Sequence, residues 1–415
     1  MDKYRKATHE DLPAVLNLIE DGFSVQGDEY SNTEGKEHRL LFSHLYSRPE
    51  WSPDWLYLIE RDNQIVAAAG CFPQVLNFEG VTIPVWAVSP VVTDTKYRGQ
   101  RLARKCLENM LADLRKAGIP AVFLWGLPSY YPQLDFVPIL PRYKTKINLK
   151  QFKDIPEQIQ GKLRLSSFFD MEAVANIYKS YDSKLWLQPQ RDLKWWQQRW
   201  TEMDIEFADI KEVPFPHKEQ FLIWENSSGR IAGYLHFKVD SQQKITITES
   251  LPTSLNEAIF LLRSFISKYL KPDQTLYIQG TPEHPLNMAA YKLGGINLNP
   301  APLAGMVKVI DWNKFFFSLA PLLEKRLTRI CETDWQRSIG DAVHFIYQKQ
   351  IGLKIKVEEN AVLTDKKYNG LLTRLILGLY NNLDLELADL NREDQFFQIP
   401  FPQKYPFIWD ANYLY

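Results

Sequence analysis

The sequence predicts a mixed α/β (α+β) fold in which one unit occurs twice and a smaller α+β domain follows. Three observations predict it: an ordered set of internal matches, strand-like and helix-like apolar patterns that interleave, and a change of pattern after Gly305. The first match sets THEDLPAVLNLIEDGF (Thr8 to Phe23) against SFFDMEAVANIYKSYDS (Ser167 to Ser183), with Asp11 and Asp170 159 apart (170 − 11). Both carry apolar residues at helical spacing: Leu12, Val15, Leu16 and Ile19 against Met171, Val174, Ala175 and Tyr178. The second sets YLIERDNQIVAAAGCF, from Tyr57, against LIWENSSGRIAGYLHF, from Leu222; Glu60 and Glu225 are 165 apart (225 − 60). Both read as strand, tight polar turn, strand. The third pairs Tyr131 of YYPQLDF with Tyr291 of AAYKLGGI, 160 apart (291 − 131).

Between the copies, residues 149–165 (LKQFKDIPEQIQGKLRL) are polar with a Pro and a Gly and read as a connection. After Gly305, MVKVIDWNKFFFSLAPLLEKRL reads as a short strand and an amphipathic helix whose apolar face is Phe316, Leu319, Leu322 and Leu323. IGLKIKVEENAVLTD alternates like strands around a turn, and YNGLLTRLILGLY reads as an apolar helix from about Asn369. The expected domains are therefore 1–148, 149–305 and 306–415.

Composition narrows the function class. The 415 residues are 45% hydrophobic and 24% charged with net charge −1, a globular balance without the basic excess of a nucleic-acid binder. Three scattered cysteines, Cys71, Cys106 and Cys331, suggest neither a disulfide framework nor a zinc cluster, and the histidines, His217, His236, His284 and His344 among them, show no ligand spacing. No metal is expected. The longest apolar run, FFFSLAPLL from Phe315, is far short of a membrane span, so no membrane insertion is expected. The N-terminal stretch MDKYRKATHEDL is charged and lacks a signal-peptide core, which makes a cytoplasmic protein the expectation.

The chemistry concentrates in VVTDTKYRGQRLARK, Val91 to Lys105. Val91, Val92 and Thr93 should end a strand, and Leu102, Cys106, Met110 and Leu114 should line the buried face of a helix. Arg98-Gly99-Gln100-Arg101 lies between them, followed by Arg104 and Lys105. Cations at a helix N-terminus oppose its dipole, at a cost of about 0.3–1 kcal/mol each. An anion of several charges, such as a pyrophosphate, reverses that sign, and successive backbone amides in the turn would bind it. A solvated basic turn paired with Glu108 or Asp113 fits the same residues.

RGQRLA before a helix, followed by AVFLWGLPSYYPQLDF, resembles the acetyl-CoA site of the GNAT (GCN5-related N-acetyltransferase) superfamily, whose pattern is Arg/Gln-x-x-Gly-x-Gly/Ala and then a tyrosine after the next strand. The duplicated unit with a further domain is similar to the Eis-type acetyltransferases, with tandem GNAT-type mixed-sheet domains, the second degenerate, and a domain like sterol carrier protein 2. The resemblance implies transfer of an acetyl group from acetyl-CoA to a primary amine by direct attack. It implies that Val91, Val92 and Thr93 bind the pantetheine arm through their backbone, that Arg98, Gly99, Gln100, Arg101, Leu102, Ala103 and Arg104 hold the pyrophosphate, and that Gly126 and Leu127 lie beside the thioester. Tyr131 falls on the catalytic tyrosine, the general acid, and the terminal carboxylate of Tyr415 would be the base; a tail that only docks one domain on another fits the same residues. Two residues depart from the pattern: Arg101 stands where the family has Gly, and Asp135 replaces Gly before Phe136. A negative φ at 101 would preserve the amide contact, whereas a positive φ would strain the arginine and lower affinity.

The expected partner is a small-molecule or peptide amine, with a homo-oligomer implied by the resemblance. The acceptor is expected between domains, near Phe23, Trp51, Trp55 and Trp86, with Asp28, Glu29 and Glu34 attracting its charge; core positions and an exposed acidic loop explain the same residues. Cys106, on the apolar helix face, is expected to be a structural thiol. The second copy lacks the basic turn and carries Glu249, Pro252 and Glu257 instead, so no pyrophosphate site is expected there. The alternative is an inactive acyl-CoA binder or apolar-ligand carrier on the same fold.

Overall fold

The computed structural model describes residues 2–24, 32–151, 159–181, 186–209, 220–239, 244–298, 301–329, 333–339, 342–358 and 366–376. The chain forms two compact units, one of residues 1–139 with the segment from Gly305, the other of Leu140–Ala304.

The first unit runs β1 (Lys3–Lys6), α1 (Leu12–Ser24), α2 (Asn32–Ser47), β2 (Leu56–Arg61), β3 (Gln64–Phe78), β4 (Val81–Thr93), α3 (Leu102–Lys116), β5 (Ala121–Trp125) and β6 (Val137–Arg142). The second runs β7 (Lys144–Asn148), β8 (Gly161–Leu165), α4 (Met171–Lys179), β9 (Trp186–Pro189), α5 (Leu193–Asp209), β10 (Gln220–Asn226), β11 (Ile231–Val239), β12 (Ile245–Pro252), α6 (Leu255–Tyr269), β13 (Thr275–Gln279), α7 (Pro285–Lys292) and β14 (Ile296–Asn297). There follow β15 (Ala301–Val309), α8 (Trp312–Thr328), β16 (Trp335–Ile339), β17 (Val343–Gln348), β18 (Gly352–Val357) and α9 (Lys366–Ile376).

The first sheet has the order β1-β2-β3-β4-β5-β15-β6, and the second β14-β7-β13-β12-β11-β10-β8. β15 joins the first sheet antiparallel to β5, from Gly305↔Trp125 to Val309↔Ala121, and β7 takes the matching place beside β13. The turns explain the long hairpins. Asp62 and Asn63 between β2 and β3 both have positive φ, as do Glu79 and Gly80 between β3 and β4, the twist that primed turns give tightly paired strands.

One corner is built identically in both units. Arg5 donates to Asp11 through both terminal nitrogens (2.6 and 2.8 Å) and through Nε to Glu60 (2.9 Å). Arg164 does the same to Asp170 (2.7 and 2.8 Å) and Glu225 (2.7 Å). The Thr8 and Ser167 amides cap the same carboxylates at 2.7 and 2.6 Å. The first two sequence matches thus mark one fork, whose arginine the sequence reading missed. The third match falls between corresponding strands of the two units, before β6 and before β14, but in different elements. Tyr131 opens a short 3₁₀ turn after β5, whereas Tyr291 lies near the end of α7 and is 65% exposed. Gly126-Leu127-Pro128 and Gly280-Thr281-Pro282 correspond as well, each following its strand.

α3 buries Leu102, Cys106, Leu107, Met110, Leu111 and Leu114 against Val66, Ala67, Ala69 and Val88 of the sheet. Each large apolar side chain so buried contributes about 1.5–3 kcal/mol. The expected connection is only partly one, since its end, Gly161–Leu165, is β8. After β15, α8 starts on an Asp311 cap and buries Phe316, Leu319, Leu322 and Leu323. Phe316 meets Phe345 of the three-stranded sheet β16-β17-β18 edge-on at 5.6 Å. α9 begins at Lys366, earlier than expected.

Candidate active site

β4 and β5 pair in parallel only at Val85↔Ala121, Trp86↔Val122 and Ala87↔Phe123. Past Ala87 the two strands part. On its other edge β4 stays paired to β3, but the register passes from Cys71↔Val88 to Ala69↔Val91, so Ser89 and Pro90 together oppose Gly70. This is a β-bulge, and Gly70 permits it: a Cβ there would lie 2.8 Å from the Ser89 carbonyl. Beyond the bulge, Val91, Val92 and Thr93 pair with Ala69, Ala68 and Ala67 on one edge, and no described strand takes the other. An extended chain carrying amides can complete such an edge.

That edge leads to the turn. Asp94 accepts from the Lys96 amide, and Thr95–Tyr97 forms one 3₁₀ turn. Gly99 has φ 79° and Arg101 φ 61°; α3 then starts with Leu102. The Lys105 amide makes the first helical bond, to the Arg101 carbonyl at 3.1 Å, so the amides of Leu102, Ala103 and Arg104 stand outside the helical ladder. The N-terminus of α3 has no side-chain cap and no acidic residue in its first turn. Those amides and the helix dipole make a ready anion site.

The corresponding helix of the second unit is the reverse. Ser254 caps α6 through the Glu257 amide, and Glu257, in the first turn, accepts from Trp224 Nε1 at 2.6 Å. Its dipole is answered from within the chain. In β12, Glu249 accepts from Arg191 at 2.8 and 3.0 Å and from the Tyr234 hydroxyl at 2.8 Å. Both partners of that ion pair are 1% exposed.

The cations of the first unit's turn have separate placements. Arg98 donates to the Gly22 carbonyl at 3.0 Å. Arg104 donates to Glu108 at 2.7 Å, so one pairing of the solvated-turn reading is present; Asp113 meets Lys6 and Lys116 instead. Arg101 and Lys105 are exposed. Arg61, which sequence reasoning missed, braces the turn. It donates to the Gln100 side chain at 2.8 Å, pairs with Asp2 at 2.7 Å, and lies 5.1 Å from the Tyr97 ring centre. Its only signal in the sequence was a charge at the end of a strand.

Gly126 follows β5 where the strands part. A Cβ there would lie 2.2 Å from the Tyr131 ring, so the phenol rests directly on that backbone. Tyr131 is 9% exposed and meets Tyr130 and Phe136 edge-on at 5.0 and 5.7 Å. Burial raises the Tyr130 pKa and keeps that phenol protonated. Leu127 is 49% exposed. Asp135 ends the turn with φ 63°, held by Lys308, which donates to the Leu134 carbonyl at 2.7 Å and lies 3.4 Å from the Asp135 carboxylate. Desolvation pushes the Cys106 thiol up to about 12, which makes it a core group and no nucleophile.

Of the residues expected to line the acceptor groove, Trp51 is buried, while Trp55 and Trp86 meet edge-on at 5.2 Å over the core. Phe23 stacks on His38 at 4.2 Å. Asp28, Glu29, the Glu34 side chain, Cys331 and Tyr415 lie outside the described residues.

Residues 3–139 match the family model described as an acetyltransferase (GNAT) domain. The chain carries a GNAT domain. It is an acyltransferase, and acetyl-CoA or another acyl-CoA is the donor that the GNAT family uses. The GNAT domain holds the parted strands, the bulge and the uncapped helix described above, and these fit an extended arm ending in a pyrophosphate. Among curated proteins none matches the chain. Solved structures share its fold over nearly its whole length. A probable N-acyltransferase of unknown function from Enterococcus faecalis is 15% identical, covering 99% of each chain with TM-score 0.68. A GCN5-related N-acetyltransferase from Anabaena variabilis is 12% identical, over 98% of this chain and 99% of that one, with TM-score 0.68. Eis1 from Mycobacterium abscessus is 13% identical, over 97% and 96%, with TM-score 0.57.

Proposed function

We propose that the protein transfers an acetyl group from acetyl-CoA to a primary amine in one direct step. The observation that carries this reading is the continuous path from the free edge of β4, past its bulge, to the uncapped N-terminus of α3. The pantetheine arm adds to Val91, Val92 and Thr93 as a strand would, and the amides from Gly99 to Arg104 take the pyrophosphate. The thioester then lies in the gap beside Gly126 and Leu127. The amine gives up a proton, its nitrogen attacks the thioester carbonyl, the carbon–sulfur bond breaks, and the departing thiolate takes a proton from Tyr131. Positioning and a polarised carbonyl supply the rest, with no covalent enzyme intermediate. The proposed base is the carboxylate of Tyr415; native and C-terminally extended chains that turn over equally would remove it from the scheme.

An Eis-like layout with a domain like sterol carrier protein 2, a homo-oligomeric assembly and a cytoplasmic location belong to the same proposal. A panel of polyamines, aminoglycosides and peptide amines, scored by release of free CoA from acetyl-CoA, tests the reaction. Acetyl-CoA binding by calorimetry without CoA release from any amine would favour the inactive acyl-CoA binder instead.

A further inference from the structure

Arg98 reaches away from the phosphate turn and ends on the last turn of α1, donating to the Gly22 carbonyl at 3.0 Å. A guanidinium satisfies an unbonded carbonyl there and matches the negative end of the helix dipole. The same glycine touches the proposed cofactor strand: a Cβ on Gly22 would lie 2.2 Å from Val92 Cγ2.

The register says which face this is. Val91 pairs with Ala69, and both pack in the core that α3 covers with Leu102 and Cys106. Val92 pairs with Ala68, so its side chain points to the opposite face, where α1 lies. The part of β4 that has left β5 is therefore covered by α3 and the phosphate turn on one side and by the end of α1 on the other. An amine attacking a thioester in the gap has to arrive on the α1 side, because α3 closes its own. Phe23, next to Gly22, stacks on His38 of α2 and so joins the two helices at that edge.

We infer that Arg98 is a positioning residue for the amine acceptor and that its guanidinium is not a ligand of the pyrophosphate. It ties the phosphate-binding turn to the end of α1, so that ordering the turn on the donor also sets the wall along which the amine enters. The inference rests on the proposed acetyl transfer for its kinetic part only; the tie itself is a property of the free protein.

The test compares native chain, Arg98→Met, Arg98→Lys and Gly22→Ala by acetyl-CoA calorimetry, deuterium exchange of the amides of residues 19–24, and steady-state kinetics with the amine the panel selects. In Arg98→Met the acetyl-CoA Kd should stay within about threefold while KM for the amine rises about tenfold. Exchange at 19–24 without ligand should quicken about tenfold. Arg98→Lys, which still places a cation on the carbonyl, should restore most of both. Gly22→Ala, which pushes α1 from Val92 without touching a charge, should reproduce the KM effect. A loss of acetyl-CoA affinity beyond about tenfold in Arg98→Met, with exchange and amine KM unchanged, would make Arg98 a phosphate ligand and overturn the inference. A native chain that binds no acetyl-CoA would end the proposed function, and the ligand-free exchange comparison would still decide the tie.

Discussion

Arg101 and Asp135 stand where the GNAT pattern has glycine, and both keep the left-handed backbone that glycine favours, with φ 61° and 63°. The chain has changed the residue and kept the conformation. A non-glycine residue there costs about 1–2 kcal/mol. Because the fold already carries that strain, binding does not incur it, so the cost falls on stability and the turn keeps its amide directions. Arg101→Gly should raise unfolding stability by about 1 kcal/mol in urea denaturation. Tyr131 gives the sharper test. If its phenol protonates the leaving thiolate, Tyr131→Phe should lower kcat about 100-fold while the acetyl-CoA Kd changes little. Unchanged kcat, with chemistry shown to limit the rate, would reject the donor role.

At the scale of elements, α3 and α6 start from equivalent places and differ in how their dipoles are answered. α6 has Ser254 and Glu257 inside the chain, whereas α3 exposes three amides among arginines. One helix is finished by folding, and the other is left open to the anion of the proposed function. The arginine fork is an element-scale device as well, locking β1 in one unit and β8 in the other to the following turn and to a hairpin strand. The Arg5 guanidinium, helped by the Thr8 amide, holds the Asp11 carboxyl down to about 2 against desolvation. A carboxylate with a lowered folded pKa stabilises above its ordinary pKa and loses that contribution as pH falls through the folded value. Asp11→Asn should therefore cost about 2 kcal/mol at pH 7, and the gap from the native chain should narrow below about pH 4 and nearly close near pH 2. Equal gaps at pH 7 and pH 2, by urea titration, would show that the fork works through packing alone.

At the scale of the whole molecule, the chain holds two copies of one sheet-and-helix unit, and only the first follows its parted strands with an uncapped helix. The second keeps the parted strands, since β12 and β13 pair only from Ile245↔Leu276 to Ile247↔Ile278. It places the Glu249–Arg191 pair beyond that point and caps its helix. Calorimetry should thus give one acetyl-CoA per chain, and a stoichiometry of two would overturn the assignment of the second unit. Legibility followed the range of the interactions. The end of β4, the apolar stripe of α3 and the hairpins could be read because their periods are local. The fork was seen only as matching acids, because Arg5 meets Glu60 55 residues away. The match of Tyr131 with Tyr291 found the place between corresponding strands but not the element, because a tyrosine carries no local mark of whether it opens a turn or ends a helix.

The sequence by itself determined that a mixed α/β unit is repeated, that one copy carries a basic turn before a helix, and that the other does not. These properties reside in spacing and charge, which need no folded partner. Only the tertiary structure decided that β15 and β7 enter sheets far from their neighbours in sequence, that Arg101 has a positive φ, and that Arg98 ends on α1. Strand register, backbone strain and the reach of a long side chain depend on which free edges and carbonyls lie nearby after folding, and no local pattern encodes that.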